Sequence, residues 1–433
     1  MKNIQASRSS GELPLKNKYF PPGKKLLTGF IPLCILVQSL LILNSCGTKN
    51  STIPVEPVLQ SRGQLISSTL LGINSAQSLQ QLVNSSTLSL PANLKIQYDV
   101  SAYKIEYYTL DPNGNLVIAS GCLCVPGGIN NLPLLSFHHG TVTERSDVAS
   151  QNPLSLDTFE GVLGASLGYF SLQPDYLGFG SSTILHPYHN AKSSADVVID
   201  FIRACRAFAN TKNITLNGQV FLYGYSEGGF VTLAAQKEIE QNYSQEIKIT
   251  ASAPMAGAYD LLLTARTILQ DNIYGSPTNI AFLLLSYNNI YGWNKLNDIF
   301  SPSYAENIPQ LFNGLYTSSQ IDAILPDTVN KLLRQTFIDS LLQNKEPEIS
   351  NAFLDNSLLD WIPAVPIEFY QGDSDELVPY QNSVEAANVF QSRGCNVKLI
   401  TITGGNHESS AIPSVIGAFT WFQTYGLARV SLK

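Results

Sequence analysis

The chain has 433 residues, 44% of them hydrophobic and 14% charged, enough apolar material for one large domain with room for an insertion. The formal net charge is −7, and six of the 26 basic residues (Lys2, Arg8, Lys16, Lys18, Lys24 and Lys25) lie before residue 46 beside a single acid, Glu12. Beyond that segment 20 basic and 32 acidic residues remain, and a body of charge −12 repels phosphate backbones, which argues against nucleic acid as a partner.

Lys24-Lys25 precede an uncharged run from Leu26 to Leu43, which meets Leu43-Asn44-Ser45-Cys46-Gly47. A basic start, an apolar stretch and small residues before a junction describe a secretory signal over residues 1–45. Cysteine at the junction resembles a bacterial lipoprotein signal, in which Cys46 receives lipid and the acyl chains hold the protein on a membrane surface. The alternative is an uncleaved signal anchor, because the run is about long enough to cross a bilayer. Either reading places the body outside the cytoplasm. Residues 46–63 are polar with two prolines and read as a tether, leaving 64–433 as the folded domain.

The body opens with a stretch, about 64–85, that reads as helical. Residues 96–127 then read as antiparallel strands turned at Asp111-Pro112-Asn113-Gly114. Apolar runs at 132–140, 168–178 and 219–226 fit buried parallel strands. Between the last two, Val198, Phe201, Ile202, Cys205 and Phe208 form a helical stripe, with Ser193 or Ser194 as the cap. A second helix follows Ser226, and further strands are expected at 247–257, 365–372 and 397–405. Alternation of this kind predicts an α/β protein, a mostly parallel sheet with helices on both faces. Residues 260 to about 358 break the alternation. They hold no clear strand but many helical patterns with Tyr274, Phe282, Tyr287, Tyr291 and Trp293, and read as a helical cap insertion over the site. Cys122, Cys124, Cys205 and Cys395 read as buried thiols, and no cysteine or histidine spacing suggests a metal.

The strongest local signal is Gly224-Tyr225-Ser226-Glu227-Gly228, which follows an apolar strand and opens an amphipathic helix. In that context the glycines permit a tight, strained turn that presents the Ser226 hydroxyl at the strand's carboxyl end, the nucleophile elbow of the α/β-hydrolase fold. A serine needs a base, and in this fold the order is serine, acid, histidine. Of five histidines only His407 follows Ser226, just past a strand. Two acids are candidates to orient it. Asp375 stands three residues before Val378-Pro379, the arrangement usual in hydrolases of this kind, whereas Asp373 is the alternative and could instead make a turn hydrogen bond. Oxyanion donors are expected from the backbone N–H of Glu227 and from Thr141 in the His138-His139-Gly140-Thr141 loop, with both histidine side chains as loop architecture.

With these residues in place the chain resembles secreted lipases and esterases of the α/β-hydrolase superfamily, in particular a bacterial cell-wall-degrading esterase/lipase group and the fungal secretory lipases. The likeness rests on His138-His139-Gly140-Thr141, on Pro174-Asp175-Tyr176-Leu177-Gly178-Phe179-Gly180 and on His186-Pro187-Tyr188. It rests also on the serine motif and on Ala251-Ser252-Ala253-Pro254-Met255-Ala256-Gly257. Asp175 precedes the serine and reads as structural, holding the 186–188 loop. The resemblance implies hydrolysis of carboxylic esters, on a lipid or an acylated polysaccharide, without metal or organic cofactor. A carbohydrate esterase or a serine peptidase would use the same triad. A non-catalytic binding module would be expected to have lost a triad member or an elbow glycine.

Overall fold

A computed structural model describes residues 60–86, 88–155, 158–427 and the backbone of 430–431. The expected signal, Cys46 and the tether up to residue 59 lie outside the described residues. The strands are β1 (Leu65–Asn74), β2 (Val100–Leu110), β3 (Leu116–Pro126), β4 (Ile129–Asn130), β5 (Leu132–His138) and β6 (Phe170–Pro174). They continue as β7 (Leu216–Tyr225), β8 (Ala251–Met255), β9 (Ile367–Gly372), β10 (Val397–Ile402) and β11 (Val430–Ser431). Nine of them form one sheet in the order β1-β2-β3-β6-β5-β7-β8-β9-β10, and β4 pairs with β11. The strands from β1 to β6 run antiparallel to their neighbours in that order, and those from β6 through β5 to β10 run parallel.

The parallel strands carry apolar residues on both faces, as expected where helices cover both sides. Along β7, Val220 and Leu222 enter one core while Phe221, Tyr223 and Tyr225 enter the other. The helices α1 (Ala76–Ser85) and α2 (Glu160–Ser166) belong to the second core with α15 (Ala411–Gln423). The first core takes α3 (Ala191–Thr211), α4 (Glu227–Asn242) and α14 (Gln381–Ser392). Between β8 and β9 come nine helices among the described residues. They are α5 (Leu261–Gln270), α6 (Pro277–Ile290), α7 (Leu296–Ile299), α8 (Pro302–Ala305), α9 (Ile308–Leu311), α10 (Ser318–Asp322), α11 (Val329–Leu332), α12 (Gln335–Leu342) and α13 (Pro347–Asp355). Isolated bridges Ile273–Thr328 and Phe300–Leu333 tie this insertion together.

Two local expectations change. Residues 65–74 form an edge strand, not the start of a helix. Ile66, Thr69 and Ile73 are β-branched, and the segment gains a hydrogen-bonded partner in β2 over almost its whole length. Only 76–85 is helical, and its buried Leu79 and Val83 join the core beneath α2 and α15 rather than the insertion. The helix carrying the Val198 stripe begins earlier than Ser193, because the Asn190 side chain accepts from the Ser193 N–H at 3.0 Å and caps one more turn. Cys122 and Cys124 are buried with their sulfurs 3.7 Å apart and unbonded, Cys205 is buried, and Cys395 is only half-buried.

Candidate active site

The loops that bear the candidate residues all follow the carboxyl ends of parallel strands. His138 stands beside Gly224 in the β5–β7 register, and Tyr225 stands beside Met255 in the β7–β8 register. Strand ends therefore align, and the residues just past them converge, as in other open α/β sheets.

Ser226 sits between β7 and α4 at φ 59°, ψ −121°, a left-handed conformation that a serine adopts only at a cost. Its N–H donates to the Met255 carbonyl at 2.9 Å, which holds the turn against β8. The flanking glycines are sterically required. A Cβ on Gly224 would stand 2.4 Å from the Gly228 carbonyl oxygen, and one on Gly228 only 1.8 Å from that of His138.

His407 presents Nε2 to the Ser226 hydroxyl at 2.9 Å and Nδ1 to the Asp375 carboxylate at 2.8 and 3.0 Å. The carboxylate can only accept, so Nδ1 carries the proton and Nε2 is free to accept from the serine. Asp375 also accepts from the N–H groups of Leu377 and Val378 at 3.0 and 2.9 Å and from Gln371 Nε2 at 3.1 Å, and its side chain is wholly occluded. Asp373, the alternative acid, is exposed and accepts from the Gly404 N–H at 2.7 Å, pinning the β10 turn. The His407 main chain is held too, with its carbonyl accepting from the Tyr225 hydroxyl at 2.6 Å and its N–H donating to Glu376 at 3.2 Å.

On the other side of the serine lies the loop after β5. His139 Nδ1 donates to the Gly140 carbonyl at 2.7 Å, while its ring stacks on Tyr176 with centroids 4.0 Å apart. The Gly140–Thr141 peptide is thereby oriented, and because a trans peptide points its C=O and N–H in opposite directions, the Thr141 N–H faces away from His139. The Thr141 hydroxyl is paired with that of Tyr188 at 2.8 Å. Among the described residues neither the Thr141 nor the Glu227 N–H has an internal acceptor. A Cβ on Gly140 would meet Ser226 Cβ at an ordinary 3.7 Å, so the protein's own packing does not demand glycine there. His138 lies deeper, between the hydroxyls of Ser136 (3.0 Å) and Thr232 (2.7 Å). Burial pushes its pKa down to about 3, so it is a neutral brace between β5 and α4.

From Ser226 a cavity runs under the insertion. Leu261, Ala265, Ile268 and Leu269 of α5, Ile280, Leu283 and Leu284 of α6, and Phe337, Leu341 and Phe353 of α12 and α13 make its apolar wall, with Leu377 and Val378 beside the acid turn. A second, larger groove lies across the loop after β5, lined by Gly140, Thr141, Tyr225, Glu408 and Ile412.

Residues 157–426 match the family model described as secretory lipase. The chain belongs to that family. Lipase 6 of Candida albicans is 22% identical over 268 residues, spanning 59% of this chain and 55% of the relative. The secreted triacylglycerol lipase LIP4 of Malassezia furfur is 23% identical over 312 residues, 68% of this chain and 53% of the relative. The chain thus spans about half the length of the curated relatives it matches. Among solved structures it is similar to the rice cell wall degrading esterase LipA from Xanthomonas oryzae, with a TM-score of 0.76 and 26% identity over 85% of this chain and 98% of that one. Candida antarctica lipase A shares the fold at a TM-score of 0.63 and 17% identity, over 84% of this chain and 82% of the other.

Three features of this secretory lipase family member escaped the sequence. The Glu227 side chain is buried and meets His186 Nε2 at 2.6 Å, a hydrogen bond over 41 residues of sequence that no motif spacing announces. The Tyr225 hydroxyl braces His407, which only the converging strand ends make possible. Asp175 does not hold the 186–188 loop. Its carboxyl accepts from Ser120 Oγ at 2.6 Å and from the Ser150 N–H at 3.3 Å, and the loop is held instead by Glu227 and by the Leu177 carbonyl. Because the strand β6 ends at Pro174, Asp175 points back across the sheet toward β3 and not forward toward the loop.

Proposed function

We propose that this protein hydrolyses carboxylic esters through Ser226, His407 and Asp375. The observation that carries the reading is the unbroken line of hydrogen bonds from the Ser226 hydroxyl through His407 to an occluded Asp375. Ser226 attacks the ester carbonyl as His407 Nε2 takes its proton, and Asp375 stabilises the imidazolium and keeps its tautomer. The oxyanion is held by the N–H groups of Thr141 and Glu227, with Gly224 and Gly228 shaping the turn that aims the hydroxyl. His407 then protonates the departing alcohol, and water activated by the same imidazole releases the acyl group.

The apolar wall of the cavity favours an acyl chain of lipid type. The second reading is a carbohydrate esterase, favoured by the likeness to LipA over almost the whole of that chain. Hydrolysis of p-nitrophenyl esters from acetate to palmitate separates them. A long-chain optimum lost in Ser226→Ala supports a lipase, a short-chain optimum supports the carbohydrate esterase, and equal inactivity of both proteins on every ester overturns the proposal. We infer further that the body, residues 64–433 with the insertion at about 260–358, is carried outside the cytoplasm by the signal and held there through lipid on Cys46. Metabolic labelling with an alkynyl fatty acid tests this, and labelling unchanged in Cys46→Ala would contradict it.

A further inference from the structure

The cap cavity is mostly apolar, and at its neck, where it reaches Ser226, two buried side chains, Glu227 and His189, each leave a polar atom without a partner among the described residues. Glu227 follows the serine, and its Oε1 is engaged by His186, but among the described residues Oε2 has no hydrogen-bond partner. His189 lines the same cavity, edge-on to Tyr188 and tilted against Phe230, and its Nδ1 is likewise unpartnered among the described residues. Both residues are more than nine-tenths buried. Buried polar atoms are normally satisfied, and leaving one unmet costs about 1–3 kcal/mol. Two such atoms at one cavity wall, next to the nucleophile, mark a place where a bound molecule completes the set.

We propose that this neck is a polar subsite for a hydroxyl group carried on the acyl chain near the ester carbonyl, at its α or β carbon. The proposal rests on the ester-hydrolase reading and deepens it. Charge decides what kind of group fits. His186 Nδ1 donates to the Leu177 carbonyl at 2.7 Å, and the 2.6 Å contact from Nε2 to Glu227 requires one further proton between them. Wherever that proton rests, the pair is neutral overall. Burial holds His189 down to about 4, against the pull of Glu227, so near pH 7 it too is uncharged. A cluster of zero net charge does not recruit a cation or an anion. A neutral hydroxyl, which can donate to Oε2 and can accept from or donate to imidazole, suits either atom. Position decides where the hydroxyl must lie. The Glu227 N–H is the proposed oxyanion donor, so its side chain is a few bonds from the bound carbonyl. The remaining cavity wall has room for a hydrocarbon tail.

The test compares ethyl octanoate with the (R) and (S) forms of ethyl β-hydroxyoctanoate, by acid release in a pH-stat, for the wild type, His189→Phe and Glu227→Met. The wild type should prefer one hydroxy enantiomer over octanoate by about tenfold in kcat/KM, as one hydrogen bond to a buried polar group allows. The preference and the enantioselectivity should collapse toward unity in both variants, a change that loss of structural support alone does not produce. If Glu227→Met does not fold, His189→Phe alone gives the same readout. Equal rates for the three esters in the wild type, or a preference that survives His189→Phe, would overturn the subsite while leaving the hydrolase intact. Inactivity on all three, together with inactivity on every p-nitrophenyl ester, would instead remove the hydrolase reading on which the subsite depends.

Discussion

Ser226, Asp375 and His407 stand on loops one to five residues beyond the ends of β7, β9 and β10, whereas the walls of the cavity come from α5, α6, α12 and α13 of the insertion. In the first region each residue is held by backbone hydrogen bonds beside a strand end, and at Ser226 the flanking glycines add a steric limit. In the second, many aliphatic contacts share the task and none is individually required. If the molecule works as proposed, the difference teaches that its chemistry and its selectivity rest on different kinds of structure. Substitutions in the two regions should behave accordingly.

The largest contrast should come from the two acids of one turn. Asp375→Asn should lower kcat for ester hydrolysis by about 10⁴-fold, since the amide disfavours the tautomer that His407 needs. Asp373→Asn should leave kcat within about threefold and stability little changed, since the amide oxygen can still accept from the Gly404 N–H. Similar losses in the two variants would show that the hydrogen bonds around Asp375 do not single it out. The comparison sharpens at Gly228→Ala, whose new methyl would overlap the His138 carbonyl. Loss of about 3 kcal/mol or more is expected, visible as a lowered Tm or a failure to fold, whereas an unchanged Tm would mean that the elbow is slack.

In the insertion the expected effects are smaller and substrate-dependent. Ala265→Phe adds a ring inside the cavity. It should reduce kcat/KM for long acyl chains by roughly tenfold or more and leave acetate esters little changed. A uniform loss over all chain lengths would place the acyl chain elsewhere.

A pH-dependent effect concerns His189, whose pKa is about 4 in the fold through burial and 6.5 ordinarily. As pH falls from 6.5 to 4 the unfolded chain takes up a proton at this residue and the folded chain does not, so stability falls with falling pH. Its share is about 1.4 kcal/mol per pH unit over that window. Urea unfolding at pH 7, 6 and 5 should therefore show a steeper decline for the wild type than for His189→Phe. Parallel curves would mean that the buried imidazole titrates normally.

Much of the site was legible because its signals are local. Gly224 and Gly228 around Ser226 mark a turn that no side chain could enter, and His407 was the one histidine after the serine. Asp375 and Asp373 were separated only in part, since both follow β9 by a few residues and both have turn roles open to them. Their distinction came from the closing of β9 against β10, which buries one carboxylate under His407 and leaves the other in solvent. The 65–74 segment was misread because an edge strand buries little, so its apolar residues carry no clean alternation, and its identity depends on a partner 40 residues away.

What the amino-acid order determined by itself is therefore the alternation of strand and helix, the strained elbow and the order of serine, acid and histidine. Each of these follows from backbone sterics and hydrophobic periods that act over a few residues. What only the tertiary structure decided is which polar atoms end up paired. Glu227 and His186, Tyr225 and His407, and the unpartnered atoms at the cavity neck are brought together by packing over tens to hundreds of residues. The energy of such a contact depends on burial and geometry rather than on spacing in the chain, which is why no motif records it.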